Sequence, residues 1–198
     1  MAATGDLLDL SLRDFLEAVA SEDPTPGGGT AAALAVAISA GLTTMVARGS
    51  DDWPEAGSAV AQAERLRTRI TPLAQRDAEA YEEALVSMTL PERVEPVVRD
   101  MAVGAALWRA AEVPMAIAEA GADAACLASL VADRGTQARR ADAVAAALLA
   151  EAATWAAAGL VKVNLTITAG DRRTEQARRL GETASSAARQ AVQTLGTA

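Results

Sequence analysis

PTPGGGTAAALAVAISAGLTTMVA, Pro24 to Ala47, decides the fold, because it contains no charge and changes character once. Three successive glycines behind two prolines suit neither a strand nor a helix interior, so Ser21–Gly29 is expected to be a loop. From Thr30 to about Arg48 the residues are mostly small helix formers, with Thr30 expected as the cap. Ala33, Ala37 and Gly41 recur every four residues, a register that lets another backbone come close. So apolar a run raises the question of a membrane span. Gly, Ala, Ser and Thr gain little from lipid, however, and a central, buried core helix is the expectation.

The rest of the composition agrees with helix. The chain has 198 residues, 51% hydrophobic and 3% aromatic. About one residue in four is alanine, the best helix former, while strand-favouring runs are scarce. The core must therefore be built from Ala, Leu and Val. A net charge of −8 and a pI near 4.6 argue against nucleic acid or an anionic membrane as partner. Lys162 is the sole lysine, there is no histidine, and Cys126 is the sole cysteine. No Ser-His triad or cysteine metal cluster can form, and Cys126, between Ala125 and Leu127, is expected to be a small buried filler. The N-terminus shows no basic segment followed by an apolar stretch, so a cytoplasmic protein is expected.

Punctuation sets the remaining elements. Ser11 is a good cap for a helix carrying Phe15, Leu16 and Val19 on one face. Gly49–Pro54 is a turn, after which a long helix runs from Glu55 to about Met88, bent at Pro72 and closed by Leu90-Pro91. A second long helix covers about Val94–Leu130 with a kink at Pro114, and Gly135 ends it. Helices over Arg139–Ala158 and about Asp171–Leu195 follow. Leu160–Thr168, LVKVNLTIT, alternates like a strand, but a strand without a partner is unstable, so helix or extended connector is expected. The whole chain, residues 1–198, reads as one all-α domain, a bundle of long antiparallel helices.

Three places could carry chemistry. Gly27, Gly28 and Gly29 clear side chains from a helix start whose amides favour an anion or a polarised carbonyl, although close packing alone also explains them. The corner lacks the Gly-Lys-Ser/Thr ending of a phosphate-binding P-loop. Steps of three and four along the long helix give Leu66, Ile70, Leu73, Asp77, Tyr81, Leu85 and Met88, so Asp77 interrupts an apolar stripe. Desolvation raises a carboxyl's pKa and suits it to acid–base work; pairing with an arginine from another helix explains the position equally well. Asp142, Lys162 and Asn164 form a weaker third group.

Taken in order, these segments resemble the cyclodeaminase/cyclohydrolase family of folate one-carbon enzymes. The resemblance is carried by Pro24–Val46, by LAQRDAEAYEEALVSMTLP (Leu73–Pro91) and by EVPMAIAE (Glu112–Glu119). It continues in ADAVAAALLAEAA (Ala141–Ala153) and VKVNL (Val161–Leu165). The chain departs from the usual pattern at Glu92, Thr136, Ala141 and Leu160. The resemblance implies an all-helical homodimer, a tetrahydrofolate derivative as substrate, and no tightly bound cofactor or metal. It makes Asp77 the proton-transfer carboxylate, with Gly27–Thr30, Tyr81, Asp142, Lys162 and Asn164 around the ligand. The implied reaction closes formiminotetrahydrofolate to the methenyl form with loss of ammonia, or hydrolyses the methenyl ring. The alternatives are a helical dimer that binds a small molecule or a protein without turnover, and a member acting on another substrate.

Overall fold

A proline in a helix removes one hydrogen-bond donor, and two prolines set the joints of this molecule. The computed structural model describes residues 6–89, 95–166 and 170–196. Eight α-helices carry the described chain: α1 Leu12–Val19, α2 Gly28–Arg48, α3 Ala56–Ile70, α4 Leu73–Met88, α5 Pro96–Ala110, α6 Glu112–Arg134, α7 Arg140–Asn164 and α8 Arg172–Gln193. No strand occurs among the described residues, and the all-α expectation holds. Leu90-Pro91, Glu92 and the start of the helix expected from Val94 lie outside the described residues, as do Ile167 and Thr168.

Pro72 separates α3 from α4 as expected. At the second joint the outcome differs from a kink at Pro114. The chain breaks at Ala111, leaving Pro114 in the first turn of α6, where its missing N–H costs nothing. The carbonyl that Pro114 cannot serve, that of Ala110, accepts instead from Asn164 Nδ2 at 3.2 Å. The strand-like stretch is helical through Asn164, with Val161 and Leu165 buried one turn apart. A lone strand would leave its backbone unpaired, whereas extending α7 satisfies it.

The far ends of α2 and α6 are joined by one side chain: Ser50 Oγ donates to the Val46 carbonyl at 2.8 Å and accepts from the Thr136 N–H at 2.9 Å. Arg140 donates to the Thr194 carbonyl, bringing the start of α7 to the end of α8. Helices α2, α6 and α8 therefore run one way and α7 the other. At mid-height the three central helices meet at Gly121, where a Cβ would stand 2.3 Å from Thr154 Oγ1 and 3.4 Å from Val36 Cγ2. Of the residues expected to allow close approach, Ala33 and Ala37 belong to the packed core and Gly41 does not. Ala33 is buried, but a Cβ on Gly41 would meet nothing within 4 Å.

Three stretches are long and apolar enough to cross a membrane by length and composition: Gly28–Arg48, Pro96–Arg134 and Gln137–Asn164. Their most apolar windows are 56%, 72% and 50% buried inside the fold. Helix α2 is central, as expected, while Ile38 and Met45 remain exposed on its outer side. Ser11 caps α1, accepting from the Asp14 N–H at 3.1 Å, but α1 buries no residue and leaves Leu12, Leu16 and Val19 in solvent. Cys126 is exposed, contrary to expectation. Its neighbours Ala124, Ala125, Leu127 and Ala128 face inward, while Cys126 shares the outer line of α6 with Asp123 and Leu130.

Candidate active site

The start of α2 and the middle of α4 meet at Asp77. Gly27 occupies the cap position without a side-chain cap bond, so Thr30, expected to be the cap, sits in the first turn instead. Its hydroxyl is fully buried and donates to the Ala74 carbonyl on α4 at 3.0 Å. The helix needs no side-chain cap from Thr30 because the Asp77 carboxyl takes that role from a different helix. A Cβ built on Gly29 would fall 2.1 Å from Asp77 Oδ1 and 2.3 Å from both Cγ and Oδ2. The carboxyl therefore lies flat against the Gly29 Cα, and only glycine leaves it room.

Asp77 is half-buried, and burial raises its pKa above the usual carboxylate range. Hydrogen bonds from the Thr30 N–H and from the Thr30 side chain oppose the rise without cancelling it. None of the ion pairs among the described residues includes Asp77, so the arginine-paired reading is not what the fold uses. A carboxyl held this way can keep a proton where an open aspartate would lose it. It stands ready as acid or base in a chain without histidine.

The loop before α2 is fastened to the same helix. Thr25 Oγ1 donates to Glu82 Oε1 at 2.8 Å, the Thr25–Pro26 peptide is cis, and Pro26 is buried. Gly28 is exposed at the first helical position, and Gly27 is half-buried, where a Cβ would stand 3.2 Å from the Pro24 carbonyl oxygen. Tyr81, one turn beyond Asp77, is 40% exposed. Gln75 accepts from the Leu7 N–H at 2.9 Å, docking the N-terminal turn Leu7–Asp9 on α4. Neither Glu82 nor Gln75 was marked by the sequence, since their roles exist only once the Pro24–Gly27 loop and the N-terminal turn pack on α4.

The remaining candidates divide. Because Val36 and Thr154 stand level, the end of α7 lies at the same end of the bundle as Thr30. Asn164 is there, tied to Ala110, and Lys162 is exposed on the rim of a groove of about 760 Å³ with Trp155, Leu165 and Arg172. The start of α8 is pinned beside it: Arg173 pairs with Asp171 at 2.8 Å, stacks 4.4 Å over Trp108 and donates to the Trp108 carbonyl. The Arg173 bonds hold the Asp171 carboxyl down to about 2. Asp142 is half-buried in the first turn of α7, 20 residues before Lys162, which is about 30 Å along the axis. A single chain therefore does not bring Asp142 to Asp77.

The family model for formiminotransferase-cyclodeaminase matches residues 11–183 of the chain. A crystal structure of formiminotetrahydrofolate cyclodeaminase from Thermotoga maritima is similar over 97% of this chain and 98% of that one, with 26% identity and a TM-score of 0.82. No curated protein matches the chain in sequence.

Proposed function

The chain belongs to the formiminotransferase-cyclodeaminase family, and from that premise we propose that it is a folate one-carbon enzyme, a formiminotetrahydrofolate cyclodeaminase. The observation that carries the reaction is the half-buried Asp77 carboxyl, seated on Gly29 with its pKa raised by burial. Ring closure needs a proton moved between nitrogens: N10 adds to the formimino carbon, loses its hydrogen, and the former imino nitrogen gains protons to leave as ammonia. A carboxyl whose proton affinity is raised by burial can take the N10 proton and return it to the departing nitrogen. Hydrolysis of the methenyl ring uses the same steps with water as the nucleophile.

In this proposal Gly27, Gly28 and Tyr81 line the reacting end of the ligand. Lys162 meets the anionic tail, and Asn164 holds the end of α7 in place through Ala110. Neither a metal nor a bound cofactor takes part. The working unit is a homodimer in the cytoplasm, supported by the exposed Ile38 and Met45 of α2 and Leu148 and Leu149 of the neighbouring α7. Asp142, remote from Asp77 within one chain, acts at the ligand only in such an assembly.

Incubation of the pure protein with formiminotetrahydrofolate tests the proposal through the growth of methenyl absorbance and the release of ammonia. Loss of methenyl absorbance without any reaction of the formimino compound would mark the cyclohydrolase instead. The absence of both turnover and thermal stabilisation, with either compound, would overturn the folate reading.

A further inference from the structure

Thr30 belongs by sequence to the ligand-binding corner, yet its side chain is buried and meets α4 instead. Its hydroxyl donates to the Ala74 carbonyl at 3.0 Å and lies beside the Asp77 carboxyl, which is seated on the adjacent Gly29. A hydroxyl has one proton and two lone pairs. When Asp77 is ionised, that proton can turn to the carboxylate, and the Ala74 carbonyl keeps its place in the helix ladder. When Asp77 is protonated, the acid's O–H can donate to Thr30 Oγ1 while Thr30 donates to Ala74, the bond seen here. Both charge states are thus satisfied by one hydroxyl turning about its C–O bond, and the carboxyl need not leave Gly29.

We propose that Thr30 is a positioning residue, not a ligand contact: its hydroxyl follows the proton on Asp77 and keeps the carboxyl in one place through a full acid–base cycle. The role rests on the reading of Asp77 as the proton-transfer group. Gly29 supplies the other half of the seat, since the carboxyl occupies the volume of a side chain at that position.

Other ionisable groups do not take over this control. Helix α4 itself carries Arg76, Glu79, Tyr81 and Glu82 around Asp77, and α3 ends with Arg67 and Arg69. The packed elements α5 and α6 bring Arg99, Asp100, Arg109, Glu112 and Glu119, and the N-terminal turn brings Asp6 and Asp9. Helix α2 has no ionisable side chain before Arg48. The groups that shift Asp77 against its burial are the two of Thr30.

The test compares Thr30→Val, which keeps the shape and removes the hydroxyl, with Thr30→Ser, which restores it. Carboxyl carbon NMR, assigned by the loss of a signal in Asp77→Asn, follows Asp77 directly. In Thr30→Val the Asp77 titration is expected to move to higher pH, because a bond to the ionised form is lost. Thr30→Ser should return it toward wild type. In turnover of formiminotetrahydrofolate, Thr30→Val should lower kcat about tenfold with little change in KM, and its pH limb should move upward with the NMR midpoint. An unmoved titration, or a raised KM with unchanged kcat, would overturn the proposal. If the wild type turns over no folate, the titration alone decides: an upward move supports the positioning role and an unmoved one refutes it.

Discussion

Asp77 experiences two opposing pulls, burial favouring its proton and the amide of Thr30 favouring its charge, and burial prevails. With a folded-state pKa above the unfolded value, the protonated form favours folding. That stability is complete at acid pH and is lost as pH rises through the folded-state pKa. Asp77→Asn reproduces the hydrogen bonds of the protonated acid without ever charging. Thermal melts should show it at least as stable as wild type, with the advantage growing as pH rises above the ordinary carboxylate range, while turnover falls about 100-fold or more. Gly29→Ala separates function from folding in another way. The new methyl displaces the flexible Asp77 carboxyl, not backbone, so the helix still forms but loses the cap that Asp77 supplies, about 1 kcal/mol in thermal melts, whereas kcat falls about 100-fold. Asp77 itself was legible in the sequence as a carboxylate breaking an apolar stripe. Thr30 was misjudged as a cap because capping preferences are local, and the carboxyl that displaced it comes from 47 positions away.

At the scale of elements, the helix boundaries follow from donors and their absence. The stop at Pro72 was readable, but the joint at Ala111 was not. A proline signals that a carbonyl loses its partner, and only the arrival of Asn164 from α7 shows that the break precedes Pro114. Cys126 failed for a related reason: neighbours in a helical sequence differ by about 100° in direction, so inward-facing neighbours do not imply an inward-facing cysteine. The same geometry predicts the cost of filling Gly121. Gly121→Ala places a methyl 2.3 Å from Thr154 Oγ1 and should destabilise by about 1–3 kcal/mol in chemical denaturation. Adding Thr154→Ala removes the blocking oxygen, so the double variant should recover part of that loss, a coupling that a double-mutant cycle measures directly. The clamp at the start of α8 gives a pH counterpart. Because Arg173 holds Asp171 down to about 2, its contribution is present at neutral pH and is lost as acid approaches pH 2. Asp171→Asn should therefore melt lower than wild type at pH 7, with the difference narrowing in strong acid.

The molecule as a whole leaves a large apolar surface uncovered along α2 and α7, including Ile38, at 57% exposure, and Leu148. If two copies share that face, the melting temperature rises with protein concentration, as it must when association stabilises the folded state. Ile38→Glu should abolish that dependence and sediment as a monomer; a concentration-independent wild type would argue against the dimer. The helical class was legible from alanine content alone, since a core so poor in aromatics has little else to build with. The meeting of α2 with α4 was not, because it depends on long-range packing that no periodicity encodes. That alanine core has a further consequence. Cores are ordinarily harmed by losing methyl groups, but here most buried positions have only one to lose. Damage comes instead from enlargement, and Ala to Val is a single base change. The mutational load on this chain is set by how many of its alanines cannot grow.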